Sequence, residues 1–274
     1  MVNCELVDYN YKMVMYDDSM PYRHDTLKSA LEKYFIETAG PCPYGLAQTA
    51  IYRQALLGNF PEPVLEILFA AGYRRNGNSI YTMVCPGCKA CVPLRIDPLA
   101  FSMNRSQKRV ARKNRDLNIA IGPIRVSEEK LLLCNDFLQT RYPGINNSAE
   151  EYYSGFFLNT GGYSYEMEYR LGSKLLGVAV VDCGRNFINA VYFYFDSAAG
   201  HRSPGTFNVL YLIDFCRRKR IKYLYLGYWI KGVQAMSYKA NFKPHYLLQD
   251  GDWVKVARET KPALTGKKSP PRGS

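Results

Sequence analysis

A chain of 274 residues, 47% of them hydrophobic, has room for one large domain or two ordinary ones and enough apolar side chains to bury a core, which excludes a disordered polymer. No apolar run approaches the roughly 20 residues of a membrane span, and the first residues lack a secretory pattern, so a cytoplasmic protein without membrane contact is expected. The formal net charge of +12 points to a polyanionic partner, nucleic acid foremost.

Residues 1–103 read as a small cysteine-containing domain, punctuated by Pro and Gly in "GPCPYGL", "LGNFPEP" and "GYRRNGNS". Strands are predicted at "SIYTMVC" and "CVPLRID", and a helix at "PVLEILFAAGY". Between the strands, "CPGCKAC" sets Cys85, Cys88 and Cys91 at two-residue spacing, and Cys42, followed by Pro43, offers a remote fourth thiol. Four thiolates suit tetrahedral zinc or a [4Fe-4S] cluster, and a reducing compartment disfavours disulfides. The spacing leaves open whether such a centre performs chemistry or only holds the fold. Cys4, Cys134, Cys183 and Cys216 are scattered and read as packing residues.

Residues 104–258 open on a basic helix, "RSQKRVARKNRDL". At 100° per residue Arg105, Lys108, Arg109, Arg112, Lys113 and Arg115 fall within an arc of roughly 160°. Met103, Val110 and Leu117 line the other side. Charged helix faces are ordinarily just solvated, but cations without an acid among them favour a phosphate backbone.

Two helices follow, "SEEKLLLCNDFLQTRY" and "SAEEYYSGFFLN", each opened by a serine N-cap. "GYSYEMEYRL", "KLLGVAVVD" and "INAVYFYF" predict an antiparallel meander. "GTFNVLYLIDFCRRKR" is a long amphipathic helix, "IKYLYLGYW" a strand and "GVQAMSYKANF" a short helix. This order predicts an α/β (α+β) acyltransferase-like domain. Residues 259–274 read as a disordered basic tail.

Two further constellations carry chemistry. In "HRSPGTFN", Arg202 precedes a helix that starts at Gly205 and Thr206, an anion site in the making, or a plain N-cap turn. In "YLYLGYWIKGVQAMSYKANF" an aromatic strand breaks at Gly227, predicting a splayed strand end lined by Tyr228 and Trp229, with Lys239 pointing back to it.

Together "CPYG", "GYRRNGNSIYTMVCPGCKACVPLRI", "NRSQKRVARKN", "VYFYFDSAAGHRSPGTFNVLYLIDF" and "YLYLGYWIKGVQAMSYKANFKP" resemble the aminoacyl-tRNA–protein transferases, the arginyltransferases and bacterial aspartate/glutamate leucyltransferases. The resemblance implies a GNAT-like aminoacyl transfer domain behind the cysteine domain. It implies transfer of leucine or arginine from charged tRNA to the α-amine of proteins beginning with Asp or Glu, marking them for degradation in the N-degron pathway. It also implies that the thiols are structural or regulatory and that transfer needs no cofactor. The chain departs from its relatives at Ser237 and Asn241, which stand where they carry cations.

An aminoacyl ester is already activated, so positioning and oxyanion donors suffice for transfer. Tyr228 and Trp229 are the catalytic candidates, with Asp182 as a candidate base. Lys239, Lys231, Tyr238 and Met236 are assigned to the acceptor side, Arg202, Gly205 and Thr206 to substrate phosphate. Arg105, Lys108, Arg109, Arg112 and Lys113 are assigned to tRNA. The rival readings are a CoA-dependent GNAT N-acyltransferase, whose phosphate loop is incomplete here, and a metal-stapled nucleic-acid-binding protein without catalysis. A peptidoglycan-type aminoacyl-tRNA transferase would have no use for the thiols.

Overall fold

The computed structural model describes residues 32–56 and 61–258; Cys4 and the basic tail at 259–274 lie outside them. Two sheets organise the chain. Ile36–Pro41 (β1), Thr49–Leu56 (β2), Arg74–Asn76 (β3) and Ser79–Met83 (β4) form a four-stranded antiparallel sheet in the order β1-β2-β4-β3. Glu62–Ala70 (α1) precedes β3 and buries Leu65, Leu68 and Phe69.

The larger sheet has eight strands. They are Val92–Ile96 (β5), Asn118–Pro123 (β6), Ser164–Leu171 (β7), Lys174–Cys183 (β8), Phe187–Phe195 (β9), Tyr223–Trp229 (β10), His245–Gln249 (β11) and Asp252–Val256 (β12), in the order β12-β11-β5-β10-β9-β8-β7-β6. β7, β8 and β9 are the predicted meander. β9 and β10 pair in parallel because the long helix Pro204–Lys219 (α5) carries the chain across between them. The fold is mixed α/β.

β5 pairs with both β10 and β11. The boundary drawn at residue 103 places β5 in the N-terminal part, whereas its hydrogen bonds belong to the larger sheet.

β8 shows why this sheet sits at the centre. Its "LLGVAVV" run is buried on both faces: Ala179 and Val181 pack with Leu212, Ile213 and Cys216 of α5, while Val178 and Val180 pack with Cys134, Phe137 and Leu138 of Glu128–Arg141 (α3). Alternate side chains of a strand point to opposite faces, so a strand covered twice reads as continuously apolar. Each such buried Leu or Phe contributes about 1.5–3 kcal/mol relative to exposure.

The helices arise largely where periodicity places them, with local corrections. The basic helix is Arg105–Lys113 (α2), held by a capping box in which Gln107 N–H donates to Asn104 Oδ1 (2.8 Å) and Asn104 N–H to Gln107 Oε1 (2.9 Å). Ser148 closes a capping box with Glu151 at Ala149–Tyr152 (α4), but Ser127 makes no side-chain cap on α3. The residue three places beyond Ser127 is Lys130, a donor with no acceptor to offer the Ser127 N–H, so no capping box can close; it turns inward to Glu166 and Glu168 instead. The second predicted helix lasts one α turn and continues as a π turn at Tyr153–Phe157. The final one splits into Gln234–Ser237 (α6) and a 3₁₀ turn at Tyr238–Asn241.

One buried ion pair ties the two sheets together. Arg75 of β3 donates from Nε to both oxygens of Asp182 on β8, each at 2.9 Å, and from Nη1 to the carbonyls of Gly77 and Phe156. Gly77 is obligatory there: its φ is +56°, and a Cβ would meet the Gly155 carbonyl oxygen at 2.2 Å.

Candidate functional site

β10 breaks where its glycine predicts. Its register with β5 shifts between Tyr225 and Gly227, and Gly227 adopts φ +77°. The consequence for the two aromatics differs from the sequence reading. Tyr228 does not line an open cleft; it is 3% exposed, its ring lies edge-on to Tyr81 at 6.5 Å, and its hydroxyl reaches Thr82 Oγ1 at 3.4 Å. Burial, then the neighbouring Tyr81, push its pKa above the ordinary tyrosine value. Trp229 is half-buried against the main core, and its indole Nε1 is a buried donor with no hydrogen-bond partner.

Lys239 does point back to this strand end. Its Nζ donates to the Tyr228 carbonyl at 2.8 Å and contacts Met236 Sδ at 3.2 Å. The side chain is buried, and burial followed by the nearby Arg74 charge lowers its pKa well below the ordinary lysine value. Lys239, Met236 and the Tyr228 backbone are thus brought together. Lys231 is exposed in the turn after β10, and Tyr238 is partly exposed with its ring edge-on to Phe242.

Asp182 is not a general base. It is fully buried, accepts from Arg75, Ser164 and Asn189, and has no lone pair left for a substrate proton. Arg202 is likewise committed: its guanidinium grips Asp116 at 2.8 and 2.9 Å and also donates to the Lys113 carbonyl. That contact holds the Asp116 carboxyl below its ordinary range. The predicted anion site therefore keeps only the start of α5, where Pro204 opens the helix and no side chain caps it.

Thr206 of that helix start lines a cavity of about 430 Å³ together with Asn104, Gln107, Tyr238, Asn241, Lys243 and Arg258. Gln107 is buried and donates from Nε2 to the Asn241 carbonyl at 3.2 Å, joining the basic helix to the final motif. Sequence reading missed Gln107. Its signal was an uncharged residue in a cation run, three places after Asn104.

Arg105, Lys108, Arg109, Arg112 and Lys113 are exposed, and among the described residues no carboxylate pairs with them; Lys113 donates to the His201 carbonyl at 2.6 Å. Asn114, at the end of this helix, donates to the Val110 and Arg202 carbonyls and pins it to the start of α5.

The four predicted thiols face one cavity of about 400 Å³. Cys85 Sγ accepts the Ile51 N–H at 3.3 Å, and positive φ at Gly45 (+72°) and Gly87 (+69°) turns the chain beside Cys42 and between Cys85 and Cys88. Burial, then Cys85, Cys88 and Cys42, push the Cys91 thiol up to about 12. The donor chemistry fits a soft tetrahedral centre. As placed, the thiols converge on the cavity without enclosing an ion: among the described residues no three His, Cys, Asp or Glu side chains are arranged to hold one. Cys134 and Cys216 are buried packing residues, and burial also raises the thiol of Cys183, a partly buried neighbour of the main core.

The family profile described as "Arginine-tRNA-protein transferase, N terminus" matches residues 40–109, and its "C terminus" counterpart matches residues 129–249. The chain is similar to the aspartate/glutamate leucyltransferase of Methylobacillus flagellatus, 38% identical over 70% of this chain and 78% of that protein. It is also similar to the protein of the same name from Nitrosococcus oceani, 36% identical over 83% of this chain and 97% of that one. Among solved structures, L-PGS from Bacillus licheniformis aligns with a TM-score of 0.40 at 10% identity over 64% of this chain and 53% of that chain, too distant a likeness to argue from.

Proposed function

From the premise that this chain belongs to the arginine-tRNA-protein transferase family, and is an aminoacyl-tRNA–protein transferase, we propose that it carries leucine from leucyl-tRNA to the α-amine of proteins that begin with Asp or Glu. The observation that carries this reading is Lys239, a buried amine at the strand end that no carboxylate among the described residues pairs with. An acidic acceptor side chain supplies what is missing.

The chemistry needs no cofactor. An α-ammonium with a pKa of about 7.7–8.0 is partly neutral near pH 7. The amine nitrogen attacks the ester carbonyl carbon, the bond to the ribose oxygen breaks, and that hydroxyl leaves with the proton as the peptide bond forms. The Trp229 indole N–H is the donor we assign to the developing oxyanion, since it is buried and unsatisfied at the same strand end. The cavity beside Thr206, Gln107 and Tyr238 takes the 3′ end of the tRNA, and the exposed cations of α2 hold phosphates farther along.

The GNAT-like description of residues 104–258, with a cysteine-containing unit before them, belongs to this proposal, as do the N-degron role and a cytoplasmic location. No helix among the described residues is long and apolar enough to cross a membrane. Cys42, Cys85, Cys88 and Cys91 would hold zinc or a [4Fe-4S] cluster, which would cross-link the loop after β1 to the segment between β4 and β5. A CoA-dependent acyltransferase is disfavoured, because Arg202 is already neutralised by Asp116. Incubation with labelled leucyl- and arginyl-tRNA and peptides beginning Asp, Glu or Lys tests the reading. Label is expected on Asp and Glu peptides from leucyl-tRNA. Arginine transfer would correct the donor, and no transfer would overturn the proposal.

A further inference from the structure

Arg74 and Arg75 are neighbours on β3 with opposite fates. Arg75 spends its guanidinium on Asp182 and main-chain carbonyls. Arg74 has no such partner. Its Nη1 is buried without any hydrogen bond, and Nη2 reaches only the Ala190 carbonyl, at 3.4 Å.

The backbone is built around this side chain. Gly227 adopts φ +77°, which favours glycine, and the Arg74 guanidinium fills the space its missing side chain leaves: a Cβ there would lie 1.5 Å from Nη1 as it stands. The guanidinium carbon stands 6.0 Å from the centroid of the Tyr228 ring. The Tyr228 carbonyl holds Lys239, whose amine feels the Arg74 charge. Among the described residues no carboxylate pairs with either cation. The buried Lys239 amine and the partly buried Arg74 guanidinium, one nitrogen of which is sealed from solvent, repel each other at this strand end, and each loses hydration without a counter-ion. An arriving anion relieves both terms at once.

We propose that Arg74, together with Lys239, receives the side-chain carboxylate of the acceptor's first residue, and that Arg74 is the specificity-determining cation of the pair. This rests on the reading above that the acceptor begins with an acidic residue. It places the carboxylate between β3 of the smaller sheet and the end of β10, so the N-terminal segment takes part in choosing the acceptor.

The experiment compares kcat/KM for peptides beginning with Asp and with its uncharged isostere Asn, in the full chain, the R74Q variant and the R74K variant. Thermal melting and leucyl-tRNA affinity are measured alongside. R74Q is expected to lower the Asp/Asn ratio by about 10- to 100-fold, the range for a lost charge-assisted hydrogen bond, with tRNA affinity and Asn-peptide transfer within about twofold of the parent. R74K, which keeps the charge and loses the fork, is expected to lie between. If R74Q does not fold, R74K reads the same ratio, and a ratio equal to the parent's overturns the assignment. Equal loss on Asp and Asn peptides makes Arg74 structural and also overturns it, as does loss confined to tRNA affinity, which would mean that the cation meets phosphate. A parent enzyme that does not prefer Asp to Asn instead overturns the reading of the reaction, and this inference with it.

Discussion

Arg75 Nε lies 2.9 Å from both carboxylate oxygens of Asp182, a pair that is almost wholly sealed from solvent and separated by 107 positions in the chain. Removing one partner of such a pair strands the other charge in the interior, at a cost of about 3–5 kcal/mol. Asp182→Ala is therefore expected to lower the unfolding free energy by that order, measured by urea denaturation. A protein of unchanged stability that has lost turnover would instead return Asp182 to the reaction.

Lys239 makes the opposite prediction. Its folded pKa lies below the unfolded value of about 10.4, so between the two the unfolded chain holds more protons. The stability attributable to this residue therefore rises with pH from the lowered folded pKa up to about 10.4 and is least below that folded pKa. Lys239→Met removes both the burial cost and the titration. The variant is expected to be more stable than the parent at pH 7, on the order of 1–3 kcal/mol, with the gap closing toward pH 10. Transfer to Asp-initiated peptides should fall while leucyl-tRNA still binds. Parallel pH–stability curves for parent and variant would place the amine in solvent.

Charge on α2 should matter to tRNA and to little else. Arg105, Arg109 and Arg112 are exposed and outside any ion pair among the described residues, so replacing all three with Glu should leave the melting temperature within a few degrees. tRNA affinity should fall, and the slope of log K against log salt should flatten by roughly 0.7–0.9 for each phosphate no longer neutralised. An unchanged slope would mean a face that is only solvated.

The thiol cavity predicts one metal centre per chain. Anaerobic purification followed by metal analysis and absorption spectroscopy should find zinc, or iron with sulfide, in stoichiometric amount. Cys88→Ser should deplete it and destabilise the segment between β4 and β5 without abolishing tRNA binding. A folded, active protein with only trace metal would reduce Cys42, Cys85, Cys88 and Cys91 to packing residues.

Much of the architecture was written in local pattern. The continuous apolar run of β8, the amphipathic repeat of α5 and the cation face of α2 each extend over enough residues for periodicity to show which face is buried. The thiol spacing and the Gly227 break are likewise local, and both mark where the chain turns. β3 is different. It is three residues long, too short for any period; its backbone pairs with the adjacent β4, but the side-chain neighbours of Arg74 and Arg75 come from β8, β10 and the π turn far along the chain. β1, β11 and β12 are partly exposed strands whose assignment rests on hydrogen bonds to neighbours rather than on their own composition.

The sequence by itself determined the residue types that family chemistry requires and the faces on which most of them lie. Only the tertiary structure decided their electrostatic state. Asp182 and Arg202 are neutralised by partners that folding brings from distant segments, whereas the buried Lys239 and the partly buried Arg74 have no carboxylate among the described residues paired with them. The physical reason is that a side chain's charge is set by its solvation and its neighbours through space, neither of which follows from position along the chain.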